Sequence, residues 1–492
     1  MRASGILMHI SSLPGPYGIG TMGKQAFAFV DFLEASGQKY WQVLPLNPTG
    51  HGDSPYQSFS TFAGNHYLID LDALIDEALL RQEEVDAITW SQEPDRVDFG
   101  AIFQHRTAVL YKAYERFLGM PNRAFQQFIQ QNQDWLPDYG LFMALKAHFP
   151  GTGWQDWPEG LRLRQAEAMQ EYREKLKYQI VFQYFLQFKF RQQWNRLRAY
   201  ANERNIRIIG DVPIYVPMDS ADVWANHTLF QLDEQRHPEM VAGVPPDAFT
   251  ADGQLWGNPL YHWQRLKDTG YDWWLRRLGA AAKMYDTVRF DHFRGFESYW
   301  AVDAKESTAR NGHWVKGPGM DFIGAVKTRF PEMSFIAEDL GYLTDEVQQL
   351  LAESGYPGMK VLEFAFDSRE PSNYLPHCYT AHSVCYTGTH DNQTLQQWFD
   401  EAGEDVVAYA KEYMGLNSEE GYVWGTIRSG MASVSDLFVA QMQDYLQTDA
   451  RGRMNTPGSL AGGNWTWRAM PGLFTASLAQ KVRAMTRCFD RL

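Results

Sequence analysis

The chain has 492 residues, 45% of them hydrophobic, enough to bury a sizeable core in one large domain or two to three small ones. With 45 basic and 59 acidic residues the net charge is −14, and no run of Lys or Arg is dense enough to track a phosphate backbone, which argues against nucleic acid and anionic membrane as partners. Three cysteines, Cys378, Cys385 and Cys488, are too few for a disulfide scaffold; with no signal-peptide core before Gly15 and no run long enough to span a membrane, they point to a cytoplasmic address.

The first element is a short apolar strand, Gly5-Ile6-Leu7-Met8-His9-Ile10, followed by a Pro/Gly loop from Leu13 to Gly20 and an amphipathic helix over about Lys24 to Ser36. Tyr40-Trp41-Gln42-Val43-Leu44-Pro45-Leu46 is the next strand. Strand, loop, helix and strand make a βα repeat, and continuous apolar strands imply a parallel sheet covered on both faces. The repeat is interrupted over 53–201, a stretch rich in Gln, Glu, Leu and Arg at helical spacing, which reads as a mostly helical insertion after the second strand. Strands then return at Ile206 to Asp211, Thr287 to Asp291, Ser334 to Glu338, Met359 to Phe364, Ser383 to Thr387 and Leu437 to Ala440. A further insertion, 216–280, follows the third strand. Eight buried strands with helices between them predict an α/β fold, a TIM (β/α)8 barrel spanning 1–492 with helical and loop insertions between strands. An open doubly wound sheet is the alternative, but no Gly-x-Gly-x-x-Gly fingerprint follows any of the strands.

In a strand, residues two apart face the same way, so Arg289 and Asp291 in Thr287-Val288-Arg289-Phe290-Asp291 lie side by side. The cation is expected to favour the ionised carboxylate, the form a nucleophile requires. Asp211, Asp291, Glu338 and the pair His390-Asp391 all fall at or just past the C-terminal end of a predicted strand, the face on which barrel enzymes carry their sites. Each acid alone reads as a helix cap or a surface ion pair; together on one rim they read as catalytic. Paired carboxylates suit glycosidic chemistry: one protonates the leaving oxygen while another attacks the anomeric carbon or activates water, and a third can steady the developing positive charge. The aromatic content, 17 Trp, 25 Tyr and 30 Phe, is compatible with stacking on sugar faces and equally with core packing.

Several segments together resemble the amylomaltase or 4-α-glucanotransferase family, glycoside hydrolase family seventy-seven, a relative of the α-amylases. They are Ser11-Ser12-Leu13-Pro14, Gly52-Asp53-Ser54-Pro55-Tyr56-Gln57, Gly210-Asp211-Val212-Pro213, Pro245-Pro246-Asp247 through Trp256-Gly257-Asn258-Pro259, Arg289 through Gly295, Ala337-Glu338-Asp339-Leu340-Gly341, Gly388-Thr389-His390-Asp391-Asn392 and Asn464-Trp465-Thr466-Trp467-Arg468. The resemblance implies Asp291 as catalytic nucleophile, Glu338 as general acid/base and Asp391 as transition-state stabiliser. It further implies that Arg289 and His390 orient these acids and the sugar hydroxyls, with Asp211 as a supporting acid. Tyr56 matches a substrate-contacting tyrosine, and the 216–280 insertion, with Asp247, Trp256 and Asn258, matches a segment that covers the donor glucan. The implied partners are maltooligosaccharides and other α-1,4-glucans as donors and glucose or a glucan as acceptor, without a cofactor or metal. The residue spacing does not separate hydrolysis from transfer; the choice of transfer rests on the resemblance.

Other motifs read as structural. His377, Cys378, His382 and Cys385 lie within nine positions, but their spacing is wrong for paired zinc knuckles. The run Asp247 to Gly253 lacks alternating ligands, and the twelfth loop position is Asn258 in place of Glu, which argues against calcium. Trp273 and Trp274 are expected to pack a helix; Trp465 and Trp467 are expected to stack sugar or to pin the C-terminal helix, with packing favoured.

Overall fold

The computed structural model describes residues 2–246, 250–341, 343–367, 372–459 and 462–492. Its strands, in chain order, are β1 (Ala3–Leu7), β2 (Tyr40–Gln42), β3 (Arg207–Pro213), β4 (Met240–Val244), β5 (Gln254–Pro259), β6 (Thr287–Asp291), β7 (Ser298–Asp303), β8 (His313–Lys316), β9 (Ser334–Ala337), β10 (Gly358–Val361), β11 (Ser383–Tyr386) and β12 (Leu437–Gln441). Eight of them close into a parallel barrel in the order β1-β12-β11-β10-β9-β6-β3-β2. These are the eight strands expected, with shifted ends. The second ends at Gln42, not Leu46, because after Val43 donates a last bond to Ile209 the chain reaches Pro45, which has no N–H to give. The first stops at Leu7 before Ile10–Ser12 winds into a 3-10 turn, and the sixth gives way to a 3-10 turn at Leu362–Phe364.

Helices pack the barrel because their apolar residues recur at three- and four-residue steps: Lys24–Ala35 buries Ala26, Phe29, Val30 and Leu33. Between β2 and β3 the chain is mostly helical, ending in the long helix Lys177–Glu203, whose Phe185, Trp194 and Leu197 are buried. Trp273 and Trp274 are buried on the helix Asp272–Ala282. The sequence reading did not contain the second sheet, antiparallel in the order β5-β4-β7-β8. It draws two strands from the 216–280 stretch and two from the segment after β6. Trp300 on β7 pairs with Trp314 on β8 in its outer half.

Candidate active site

Strand register builds the centre of the site. β3 and β6 pair so that Asp211 stands beside Arg289 and Pro213 beside Asp291. β6 and β9 pair Phe290 with Ala337, and the next step of the ladder, Glu338 N–H to Phe290 O at 3.0 Å, brings Glu338 alongside Asp291. Adjacent strands lie about 4.8 Å apart, so these two carboxyl groups share one patch of the rim. Arg289 Nη1 donates to Asp211 Oδ2 at 2.7 Å and to Asp291 Oδ1 at 3.0 Å, with Nε on the Met359 sulfur at 3.4 Å. One guanidinium thus bridges the buried acid and the acid that opens on the cleft, whose side chains are 1% and 27% exposed.

Just past Asp291 the chain leaves the strand through His292, a non-glycine residue in the left-handed region (φ 54°, ψ 50°). That turn aims the His292 N–H at Glu338 Oε2, 2.6 Å away, while Leu340 N–H reaches Oε1 at 3.1 Å. Both carboxylate oxygens of Glu338 are held by backbone. The His292 ring, driven to a pKa of about 3 by burial and by Arg294, is neutral and meets Trp256 edge-on at 4.8 Å. Trp256 and the buried Asn258 therefore approach the site on β5. Asp247 lies outside the described residues.

On the opposite side, Tyr56 donates its hydroxyl to Asp211 Oδ2 at 2.7 Å and stacks on His390 at 4.9 Å. His390 Nδ1 is 3.4 Å from the Tyr56 hydroxyl, and Nε2 is 3.4 Å from Asp391 Oδ1. Burial holds His390 below its ordinary pKa and Tyr56 well above, so both rings are neutral hydrogen-bonding groups at neutral pH. Trp465 packs on Tyr56 and His390 at 5.9 and 5.8 Å, so its ring partners are site side chains. Asn455 and Arg453 are contacts that the sequence reading missed, and nothing in their local sequence marks them; His292 lies within the Arg289–Gly295 segment but was given no role.

The electrostatics bear out the direction expected of the cation and show what opposes it. Burial works against the Arg289 charge, but Asp211 and Asp291 outweigh it and keep the guanidinium firmly protonated. For Asp291 the balance falls the other way. Burial, joined by Asp211, Glu338 and Asp391, pushes it up to about 8 against the pull of Arg289. Glu338 is also raised, first by burial, against Arg289 and its two backbone donors. Arg289 favours the ionised form of Asp291, but burial outweighs it, so both acids of the pair stand above the ordinary carboxylate range.

The potential metal ligands scatter: Cys385 is buried in β11, Cys378 is exposed, His377 contacts the Tyr413 hydroxyl and His382 the Gly355 carbonyl. Among the described residues no helix is long and apolar enough to cross a membrane.

A parallel barrel whose rim carries converging carboxylates, an arginine bridge and sugar-sized aromatic faces belongs to the carbohydrate-active barrel enzymes. The 4-alpha-glucanotransferase family, glycoside hydrolase family 77, matches residues 8–473, and the chain belongs to it. It is therefore an enzyme of the glycosyltransferase class. The 4-alpha-glucanotransferase of Clostridium butyricum is 47% identical over 486 residues, covering 98% of this chain and 100% of the relative. That of Thermus thermophilus is 44% identical over 502 residues, covering 100% and 99%. The amylomaltase of Streptococcus agalactiae, solved in complex with acarbose, superposes with a TM-score of 0.97 at 42% identity and full coverage of both chains.

Proposed function

We propose that the chain moves a segment of an α-1,4-glucan onto the 4-hydroxyl of glucose or of another α-1,4-glucan by a retaining, two-step route. Asp291 attacks the anomeric carbon while Glu338 protonates the departing glycosidic oxygen, which leaves with the reducing-end fragment. Glu338, now a carboxylate, takes the proton of the incoming 4-hydroxyl; the new glycosidic bond forms and Asp291 is released. Asp391 faces the positive charge that develops on the sugar in both steps. Atoms balance without cofactor or metal.

The observation that carries this reading is the bridge from Arg289 Nη1 to Asp211 at 2.7 Å and Asp291 at 3.0 Å, with Glu338 next in register. Burial raises both acids, and the guanidinium against Oδ1 favours the ionised form of Asp291, the form that attacks. In the proposed route Glu338 carries the proton for the leaving group. Tyr56 and His390, neutral and stacked, offer hydrogen bonds to sugar hydroxyls, and Trp256 offers a flat apolar face toward the donor side. The 216–280 insertion covers the bound donor, and transfer outruns hydrolysis because the acceptor is held by binding energy while water is excluded. The thiols Cys378, Cys385 and Cys488 are all unpaired, which suits work in the cytoplasm.

The test is to incubate the protein with maltotriose and a chelator and follow product lengths and total reducing ends, beside Asp291→Asn. Products both longer and shorter than the substrate at constant reducing ends, absent in the variant, are expected. Reducing ends that rise with only shorter products would make the enzyme a hydrolase, and full activity in the variant would remove Asp291 from the chemistry.

A further inference from the structure

Asp391 is more open than Asp291 or Asp211. Its side chain is 46% exposed, against 27% for Asp291 and 1% for Asp211. A carboxylate that open has rotamers to sample, and any group that must face a transient charge loses effect when it samples them. What holds it comes from a distant loop. Asn455 Nδ2 donates to Asp391 Oδ1 at 2.6 Å, across 64 residues of sequence. The Asn455 backbone N–H donates to the His390 carbonyl at 3.1 Å, Arg453 Nη2 donates to the Asp391 carbonyl at 2.9 Å, and Arg453 Nε donates to the Asn455 carbonyl at 2.9 Å. The loop is fastened on itself as well. Trp465 N–H meets the Met454 carbonyl at 2.6 Å, and Thr456 N–H meets Asn464 Oδ1 at 3.0 Å.

The amide orientation of Asn455 follows from chemistry, since its oxygen would repel the carboxylate that its NH2 satisfies. His390 Nε2 sits 3.4 Å from the same Oδ1. Both partners therefore fall on one oxygen, and Oδ2 is left for the sugar.

We propose that Asn455 is a positioning residue for glucan transfer: it fixes the carboxylate plane of Asp391 so that Oδ2 faces the reacting sugar, while Arg453 fixes the Asp391 backbone. The proposal rests on the reading of Asp391 as the charge that stabilises the transition state. Asn455 touches no reacting atom. Its effect passes entirely through Asp391, so it belongs in kcat and not in ground-state binding.

The experiment is a double-mutant cycle on the full chain with maltotriose as substrate. Asn455→Ala is expected to lower kcat by roughly 10- to 100-fold, the effect of a slightly misplaced group, with KM within about twofold. Asn455→Asp keeps the shape but sets a second carboxylate against Asp391, and is expected to lose at least as much. In an Asp391→Asn background, where slow turnover is followed at high enzyme concentration, Asn455→Ala should cost little further. Thermal midpoints of the Asn455 variants, read alongside, report any general loosening of the loop. An unchanged kcat in Asn455→Ala overturns the inference while leaving the role of Asp391 standing. The same loss in both backgrounds also overturns it, because a purely structural effect would add. Wild-type activity in Asp391→Asn alone removes the role of Asp391 and the inference with it.

Discussion

Replacing Arg289 with Met removes the cation that lies 2.7 Å from Asp211 and 3.0 Å from Asp291. At an effective dielectric of about 20, unit charges 3 Å apart attract by about 5 kcal/mol before desolvation is counted. The net cost of stripping one partner from a buried ion pair is smaller, about 3–5 kcal/mol, because the charge left behind is partly relieved by taking a proton. Shared between two acids, that leaves about 2 kcal/mol on Asp291, or roughly 1.5 pH units at 1.36 kcal/mol each. The sign follows from the proposed route. If Asp291 is the nucleophile it attacks ionised, loss of the guanidinium favours its neutral form, and the acid limb of kcat/KM against pH therefore moves to higher pH. At neutral pH the Met variant is expected to lose roughly 100- to 1000-fold in kcat/KM, since part of the remaining cost is paid in the transition state. Arg289→Lys keeps a charge and is expected to move the limb less, which controls for simple collapse of the pocket. The assay is initial-rate glucose release from maltotriose between pH 4.5 and 9. A large loss of rate with an unmoved acid limb would refute the reasoning, and so would a Lys variant whose limb coincides with that of Met.

Tyr56→Phe keeps the ring stack on His390 but removes the 2.7 Å donor from Asp211, whose other oxygen is already buried without a partner among the described residues. Among the described residues Asp211 Oδ2 then keeps only the Arg289 donor, and losing the other hydrogen bond to a charged acceptor costs about 1–3 kcal/mol, read as a roughly tenfold lower kcat/KM and a thermal midpoint a few degrees lower. Burial raises Asp444 to about 7, so the folded chain keeps a proton there that the unfolded chain releases, and stability falls as pH rises from the ordinary carboxylate value toward 7. Asp444→Asn, which still accepts from Leu395 N–H and meets the Thr387 hydroxyl, should therefore gain thermal midpoint over the parent between pH 5 and pH 8, by roughly 4 kcal/mol at most. Arg491, fully buried, donates to the carbonyls of Ala3, Met431, Ser433 and Ser435 at 2.8, 2.8, 3.1 and 2.9 Å, stapling the chain end to the bottom of the barrel. Lys has fewer donors and no fork, so Arg491→Lys should cost about 2–4 kcal/mol in unfolding experiments while leaving kcat at room temperature unchanged.

The barrel was legible because parallel strands buried on both faces have to be continuous apolar runs, and Tyr40 to Leu46 or Ile206 to Asp211 can be little else. The antiparallel sheet was not. β5 reads Gln-Leu-Trp-Gly-Asn-Pro and β8 reads His-Trp-Val-Lys; the first is broken by Gly257 at φ 75°, and the second has one face on neighbouring strands and the other in solvent. Neither alternates long enough to outweigh a loop reading. The rim acids were visible as strand ends, but Asn455 and Trp465 reach the site from a loop that has no periodicity and no strand to place it, so only the fold could bring them to Asp391 and His390.

The sequence showed only part of how charge is set at the centre. Adjacent letters show that Arg289 and Asp291 are neighbours; they do not show how much water both have lost. Burial and three nearby carboxylates outweigh one guanidinium, so Asp291 and Glu338 are both raised. On the proposed route a retaining reaction needs one proton for the leaving oxygen and one negative charge for the attack. Among the described residues Arg289 touches Asp291 and not Glu338 within hydrogen-bond range, which on that route suits Asp291 to carry the charge. Asp391 is the more open acid, and what the structure adds there is geometry, the contact from Asn455. Loss of Arg289 should accordingly move the pH profile, whereas loss of Asn455 should lower kcat at every pH and leave the limbs where they are.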